Sequence, residues 1–456
     1  MHSPAEPQRQ TDGGKEAPRA PSSPGGPAMM ALRNMAWILG DKLLAMALGL
    51  VIFGLIARAL GPTGSGQFAY AAALLQVGLG LSLVCSASAL LPRFCRIQAA
   101  MPGAIANVFV VRMAASLLSM VVMLCFCAWT VDDPQRRTVS MILLLAVPLI
   151  EPFHVIATYW SSRNHNRPNI IARSTGLLCR AVIVAVGLKL GVQVWVLALA
   201  WVIEAGVNAS IQSLQLRLAL PGRRLHRFVR PRRARMYLRF GVRFVFSLWL
   251  QVLFIRLDRL LLGERMEAEA FGLYATAMQL MDVWIQVASL VGVSLATAYL
   301  YRRIRQGRFG LAFAGTTAAM TLVGLAGLTG AWLLGPLLLR VVFGPRFVES
   351  YPFLLAGAGF AVLLFANQIL QLTLSTLDRP LWLGSMWVVA TAVAAPVIWF
   401  GYDTLGAFSG PLGLSVGLVA GWASLVPAWM AASRAAGLQG AQWPGGRRPA
   451  SARRQK

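Results

Sequence analysis

From Met35 to about Ala432, apolar residues fall in long blocks separated by short polar connectors. A bilayer core about 30 Å thick is crossed by a helix of roughly 20 mostly apolar residues. Within lipid, each backbone amide has to find its partner inside such a segment. The pattern therefore predicts twelve transmembrane helices, at residues 35–59, 67–91, 104–129, 138–160, 170–190, 192–212, 237–262, 270–300, 309–334, 352–376, 381–401 and 409–432. The expected fold class is all-α, a polytopic membrane protein. Residues 1–34 read as a disordered tail whose Pro, Gly and Ser content cannot build a core. Residues 35–212 form an N-terminal set of six spans and 237–432 a C-terminal set of six. The basic segment 213–236 links them, and 433–456 forms a second basic tail.

Composition sharpens this reading. With 57% hydrophobic and 13% charged residues, a soluble chain of this length could not hide its apolar surface, since single cores stop growing near ~250–300 residues. A net charge of +26 would suggest nucleic acid in a soluble protein. Here the basic residues sit between spans, so no nucleic-acid partner is expected. Taking the N-terminus as inside, the inner connectors and tails hold 28 Lys and Arg and the outer ones 7. The positive-inside rule then places both termini in the cytoplasm. No cleavable signal peptide is expected, because the first apolar run is too long for one. The five cysteines, an odd number with no C-x-x-C spacing, read as small packing residues. No metal or cofactor is expected, and no Walker A sequence, zinc pattern or nucleophile–base cluster occurs.

The two sets of spans echo each other. The first exits as Phe53-Gly-Leu-Ile-Ala-Arg58-Ala-Leu-Gly61 and continues to Gly66-Gln-Phe68-Ala. The seventh exits as Phe254-Ile-Arg-Leu-Asp258-Arg259-Leu-Leu-Leu-Gly263 and continues to Gly272-Leu-Tyr274-Ala. Each has a basic residue near the span end, a glycine at the turn, and Gly-x-aromatic-Ala opening the next helix. Repeats of this kind build many transporters, with the substrate site at the repeat interface.

The stretch Ala57-Arg58-Ala-Leu-Gly61-Pro62, followed by Gly66-Gln-Phe68, resembles the opening hairpin of the polysaccharide transport family. These are bacterial O-antigen and exopolysaccharide repeat-unit flippases of the multidrug/oligosaccharidyl-lipid/polysaccharide superfamily. Asp258, Gly263, Gly272 and Tyr274 resemble that family's second-half pattern, and Gly344-Pro-Arg-Phe347 resembles its frequent segment before span ten. The resemblance runs from about residue 32 to 432. It implies two six-helix lobes around a central cavity open alternately to either side of the bacterial inner membrane. It further implies an isoprenoid-pyrophosphate-linked oligosaccharide as cargo, no enzymatic activity, and glycan polymerase or chain-length proteins as partners.

Charges within the bilayer cost roughly 2.5–3.5 kcal/mol each on insertion scales, so each asks for a reason. Arg112, Arg180, Glu151, Glu204 and Asp282 lie deep, on the order of 12–20 Å from the nearer span end at 1.5 Å per residue. Guanidinium binds phosphate oxygens through a two-pronged fork. Arg112, Arg180 and Arg256 are therefore candidates for the pyrophosphate, with Lys42 and Arg243 nearer the cytoplasmic mouth. Arg180 and Glu204 also stand at matched depth on neighbouring spans, which predicts a mutual pair. Arg58 and Arg259 are expected to snorkel toward headgroups. Glu151 lies between Pro148 and Pro152, which should kink span four, and His154 follows at i+3. That pair is either a titratable coupling site or the filling of a kink. Asp282, Glu204 and Asp258 complete the candidates for ion coupling. In span twelve, Gly413, Gly417 and Gly421 share a face suited to close helix packing.

Two other function classes remain open. A polysaccharide polymerase or ligase would place its chemistry in a large outer loop or in acidic outer residues. Here the first outer connector, residues 61–66, has no ionisable group, and Asp132-Asp133 sits in a short turn. A cation-coupled multidrug antiporter of the same superfamily would favour acidic over basic spans. Lipid II flippases are related, but usually have fourteen spans.

Overall fold

The computed structural model describes residues 27–97, 101–163, 165–222, 225–300, 309–376 and 380–438. Most of both tails expected to flank the spans, and the connectors at 301–308 and 377–379, lie outside them. The described residues form helices: α1 (Pro27–Leu81), α2 (Ala87–Arg96), α3 (Met101–Thr130), α4 (Pro134–Leu144), α5 (Val147–Ile150), α6 (His154–Ser162), α7 (Arg167–Lys189), α8 (Val194–Ala219), α9 (Pro231–Arg265), α10 (Ala268–Leu295), α11 (Phe309–Val342), α12 (Tyr351–Thr376), α13 (Pro380–Leu405) and α14 (Ser409–Leu438). Nine stretches are long and apolar enough to cross a membrane, and two of them, Lys42–Leu81 and Leu381–Val426, hold two expected spans each. With α9, whose apolar stretch carries Arg256, Asp258 and Arg259, they account for all twelve.

Spans one and two join in α1 across a break at Gly61 (φ 69°, ψ −172°). That positive φ is easy for glycine and strained for a residue with a Cβ, and Pro62 restarts the helix. Span two ends earlier than expected. Its helix stops at Leu81, Cys85 adopts φ 60°, and a separate helix, α2, begins at Ala87. The apolar run from 67 to 91 hides this change of direction, because α2 also buries Leu90 and Phe94. Span four is broken where its prolines require, into α4, α5 and α6.

Spans two and seven run antiparallel along each other. Tyr70 meets Gly263, Gln76 meets Arg256, Gly80 faces Val252, and Val84 and Cys85 lie against Gly241. A Cβ at Gly241 would stand 2.6–2.8 Å from Val84 and Cys85, so only glycine allows this approach. In lipid, where apolar burial does not draw helices together, such small-residue contacts supply much of the packing. The span-twelve glycines work the same way within one half: Gly413, Gly417 and Gly421 lie on α13 at Ile398, Ala394, Ala390 and Met386.

One continuous core joins both halves, from Ile52 and Phe68 to Phe254, Tyr274 and Trp387. At the end of the bundle holding the 61–66 turn, the two repeats touch directly. A Cβ on Gly66 would lie 3.0 Å from the Gly272 Cα, and one on Gly272 would run into the Pro62 carbonyl. The glycines that open spans two and eight are thus each other's neighbours. This is the turn end of the bundle; the opposite end, where α9 begins at Pro231, is the linker end.

Candidate functional site

Among the described residues, the densest buried charge lies on the seam between the halves. Helix α9 presents Arg256, Asp258 and Arg259 within one turn; α10 presents Tyr274 and Asp282; and α1 contributes Gln76. Asp282 serves two guanidiniums: Arg256 Nη1 donates to Oδ2 at 2.5 Å, and Arg259 spans both carboxylate oxygens at 2.6 and 3.0 Å. Arg259 also donates to the Met278 carbonyl at 3.1 Å. Arg256 Nε donates to Gln76 Oε1 at 2.8 Å, which ties the second half to span two of the first. Tyr274 donates its hydroxyl proton to Asp258 Oδ2 at 2.6 Å, while Asp258 Oδ1 is buried and without a hydrogen-bond partner. Two Arg and two Asp make a locally neutral group, which is what lets it persist in a low dielectric. Its cations nevertheless outnumber the carboxylate that holds them.

Arg259 was expected to snorkel. It is 5% exposed and held by Asp282, because Asp282 lies one helix away at the same level and offers a nearer partner than the headgroups do. Arg58 is exposed, but its guanidinium turns back onto the protein and donates to the carbonyls of Val341 and Val342, where α11 ends. It caps carbonyls that a helix terminus leaves unsatisfied.

The other deep charges form two separate groups. Arg180 and Glu204 make the expected pair at 2.6 Å, with the guanidinium over the Trp201 ring at 4.5 Å. Arg112 is 1% exposed. It donates to the carbonyls of Val84, Cys85 and Glu151 at 3.1, 2.6 and 3.0 Å, and stands 3.6 Å from the Glu151 carboxylate. Its guanidinium therefore secures the bend between α1 and α2 against the broken fourth span. His154 Nδ1 lies 3.2 Å from Glu151, with the imidazole 46% exposed. Glu151 thus sits between a fully buried cation and a half-exposed imidazole. Lys42 is exposed, and the Arg243 side chain lies outside the described residues. The structure brings Arg256, Asp258 and Asp282 together, and keeps Arg112, Glu151 and His154 apart from Arg180 and Glu204.

Sequence reasoning missed a further set at the turn end. Arg136 counts in the sequence only as a connector charge. In the structure it is buried, donates to the Gly263 carbonyl at 2.5 Å, lies over the Tyr70 ring at 5.2 Å and approaches Glu264 at 3.9 Å. Ser65 Oγ and Thr276 Oγ1 stand 3.4 Å apart beside the Gly66–Gly272 crossing. The repeat match held the signal for the crossing; nothing in the sequence pointed to Arg136, whose partner is a main-chain carbonyl.

Comparison with known proteins fits this architecture. A family model described as "Polysaccharide biosynthesis protein" matches residues 31–300. The chain belongs to that family. Among solved structures, the lipid II flippase MurJ in an inward closed conformation aligns with TM-score 0.67 at 10% identity, covering 88% of this chain and 87% of its own. An inward-facing multidrug resistance MATE transporter of the MOP superfamily aligns at 0.64 and 17%, covering 89% and 98%. A MOP-superfamily transporter from Pyrococcus furiosus aligns at 0.57 and 15%, covering 90% and 96%. No curated protein matches the sequence. These likenesses establish the fold: an all-α, multi-pass membrane architecture shared with MurJ and the MATE proteins.

Proposed function

We propose that this protein moves an isoprenoid-pyrophosphate-linked oligosaccharide across the bacterial inner membrane by alternating access, supplying surface polysaccharide such as O-antigen or exopolysaccharide. Residues 35–212 and 237–432 act as the two lobes, and both termini face the cytoplasm, so that the turn end is the outer end. The protein moves its substrate chemically unchanged. The observation that carries this reading is the seam cluster, in which two guanidiniums share one carboxylate on the boundary between halves in a polysaccharide-biosynthesis family member. A diphosphate offers oxygens to a guanidinium fork as a carboxylate does. It could take up Arg256 while Arg259 keeps its two-pronged hold on Asp282. Arg112 and Arg180, each with a carboxylate of its own, rank behind Arg256, which shares one, and we assign Lys42 and Arg243 to receive the headgroup first. Asp258 with Tyr274, and Glu151 with His154, are the groups we assign to ion coupling; Asp282 and Glu204 balance the arginines.

The test is translocation by the purified full-length chain in proteoliposomes, with an isoprenoid-pyrophosphate oligosaccharide in one leaflet and its exposure followed in the other. Wild type should equilibrate the lipid between leaflets, and no transfer above empty vesicles would end the flippase reading. Arg256→Gln should lower the rate at least about tenfold, the loss of one charge-assisted contact of ~1.5–3 kcal/mol, measured at a temperature where the variant remains folded. A full rate in Arg256→Gln would remove Arg256 from the substrate site while leaving the activity itself standing.

A further inference from the structure

Between Glu204 and Asp258 the chain has no Asp or Glu and eleven Arg. A topology signal needs only that charge, whereas the structure adds a fixed geometry. After a short 3-10 turn, Leu225–Phe228, helix α9 starts at Pro231. Asn107 of α3, fully buried, clamps this entry from both sides: its Nδ2 donates to the Phe228 carbonyl at 3.0 Å, and its Oδ1 accepts from the Arg230 N–H at 2.9 Å. Within α9, Tyr237 and Gly241 face inward and are buried. Arg232, Arg235 and Arg239, spaced i, i+3, i+7, are all exposed, and at 3.6 residues per turn they share the opposite face. Exposed Met236 and Val242 flank that face, and exposed Phe228 lies just before the helix.

The length of α9 sets its level. Its 35 residues span roughly 52 Å at 1.5 Å per residue, against a hydrocarbon core of about 30 Å. With Arg265 at the turn end, roughly its first 12–14 residues project past the core at the linker end. The arginine stripe therefore lies among headgroups, with exposed Met236 at its own level and exposed Val242 next along the helix toward the acyl chains. Among the described residues none of these three arginines pairs with a carboxylate. A row of guanidiniums beside apolar side chains matches one occupant: the phosphate of an anionic phospholipid with its chains in the bilayer.

We infer that the start of α9 is an anionic-phospholipid binding shelf, held in register by Asn107. The shelf takes the headgroup phosphates of bulk membrane lipid. The clamp joins α3 of the first half to the helix that opens the second, so the lipid rests where the halves connect.

The experiment uses the full chain, its orientation first checked by cysteine labelling in sealed membranes, then placed in mixed micelles of phosphatidylglycerol and phosphatidylcholine with retained lipids counted by native mass spectrometry. Wild type should retain phosphatidylglycerol in preference. Each Arg→Gln change at 232, 235 and 239 should weaken retention on the order of fivefold, the effect of one basic residue near a charged surface. Asn107→Ala keeps every arginine, and hence the topology signal, yet should blunt the preference. Equal retention of both lipids by wild type, or unchanged preference in the triple variant, would overturn the shelf. Displacement of the lipid by inorganic phosphate at matched concentration would overturn the assignment to a membrane lipid. Asn107→Ala with full preference would overturn the clamp.

Discussion

Asp282→Ala is expected to cost about 3–5 kcal/mol of stability, the range found when one partner of a buried ion pair is removed. The largest single-residue effect is placed here because Asp282 alone accepts from both Arg256 and Arg259. Without it two guanidiniums stay buried against each other, with Gln76, the Met278 carbonyl and nearby Asp258 to balance them. The asymmetry matters: Arg256→Gln removes one cation and leaves the Arg259–Asp282 fork intact, so it should cost less than Asp282→Ala. Denaturant unfolding in detergent micelles, following the tryptophans, would measure both. A double-mutant cycle with Arg256→Met should recover part of the loss, because residues sharing one network are not additive. If Asp282→Ala unfolds at the wild-type denaturant concentration, the cluster does not hold the seam as described.

How much of this was legible beforehand follows from what each feature depends on. Span number and layout depend on the length of apolar runs, which is a property of the sequence alone. The break of span four was equally legible, since Pro148 and Pro152 remove backbone donors whatever surrounds them. The end of span two was not: Cys85 and Ala87 continue the apolar run, and the change of direction is enforced from elsewhere by Arg112 binding the carbonyls of Val84 and Cys85. The charged sites divide the same way. Arg180 and Glu204 could be paired by depth because a short turn joins their helices. Asp282 lies over twenty residues from Arg256 and Arg259, on the next helix, and its sharing between them needed the helix crossing to be known. Arg136 and Arg58 bind main-chain carbonyls, and a carbonyl has no sequence signature.

The second large effect concerns the crossing of Gly66 and Gly272. If the lobes alternate in access, the contact at the turn end has to part during each cycle, and fixing it should stop transport. Ser65 and Thr276 flank the crossing with their hydroxyl oxygens 3.4 Å apart, so sulfurs in their place would need to close by little more than ~1 Å to reach the S–S bond length of about 2.05 Å. The double variant Ser65→Cys/Thr276→Cys should cross-link under mild oxidation, reduce translocation to the level of empty vesicles, and regain its rate on reduction. Neither single variant should respond, which controls for the five native cysteines. Gly272→Ala acts in the opposite direction. Its methyl group meets the Pro62 carbonyl, a backbone atom that cannot swing aside as a side-chain end would. Overpacking of this kind costs about 1–3 kcal/mol, charged here to the closed state alone. The closed–open balance should therefore shift about fivefold or more toward opening at this end. Faster labelling of a cysteine at position 276 by a membrane-impermeant maleimide would report that shift. A cross-linked protein that still moves its substrate at the full rate would show that the crossing is a static joint and that the path between leaflets runs elsewhere in the bundle.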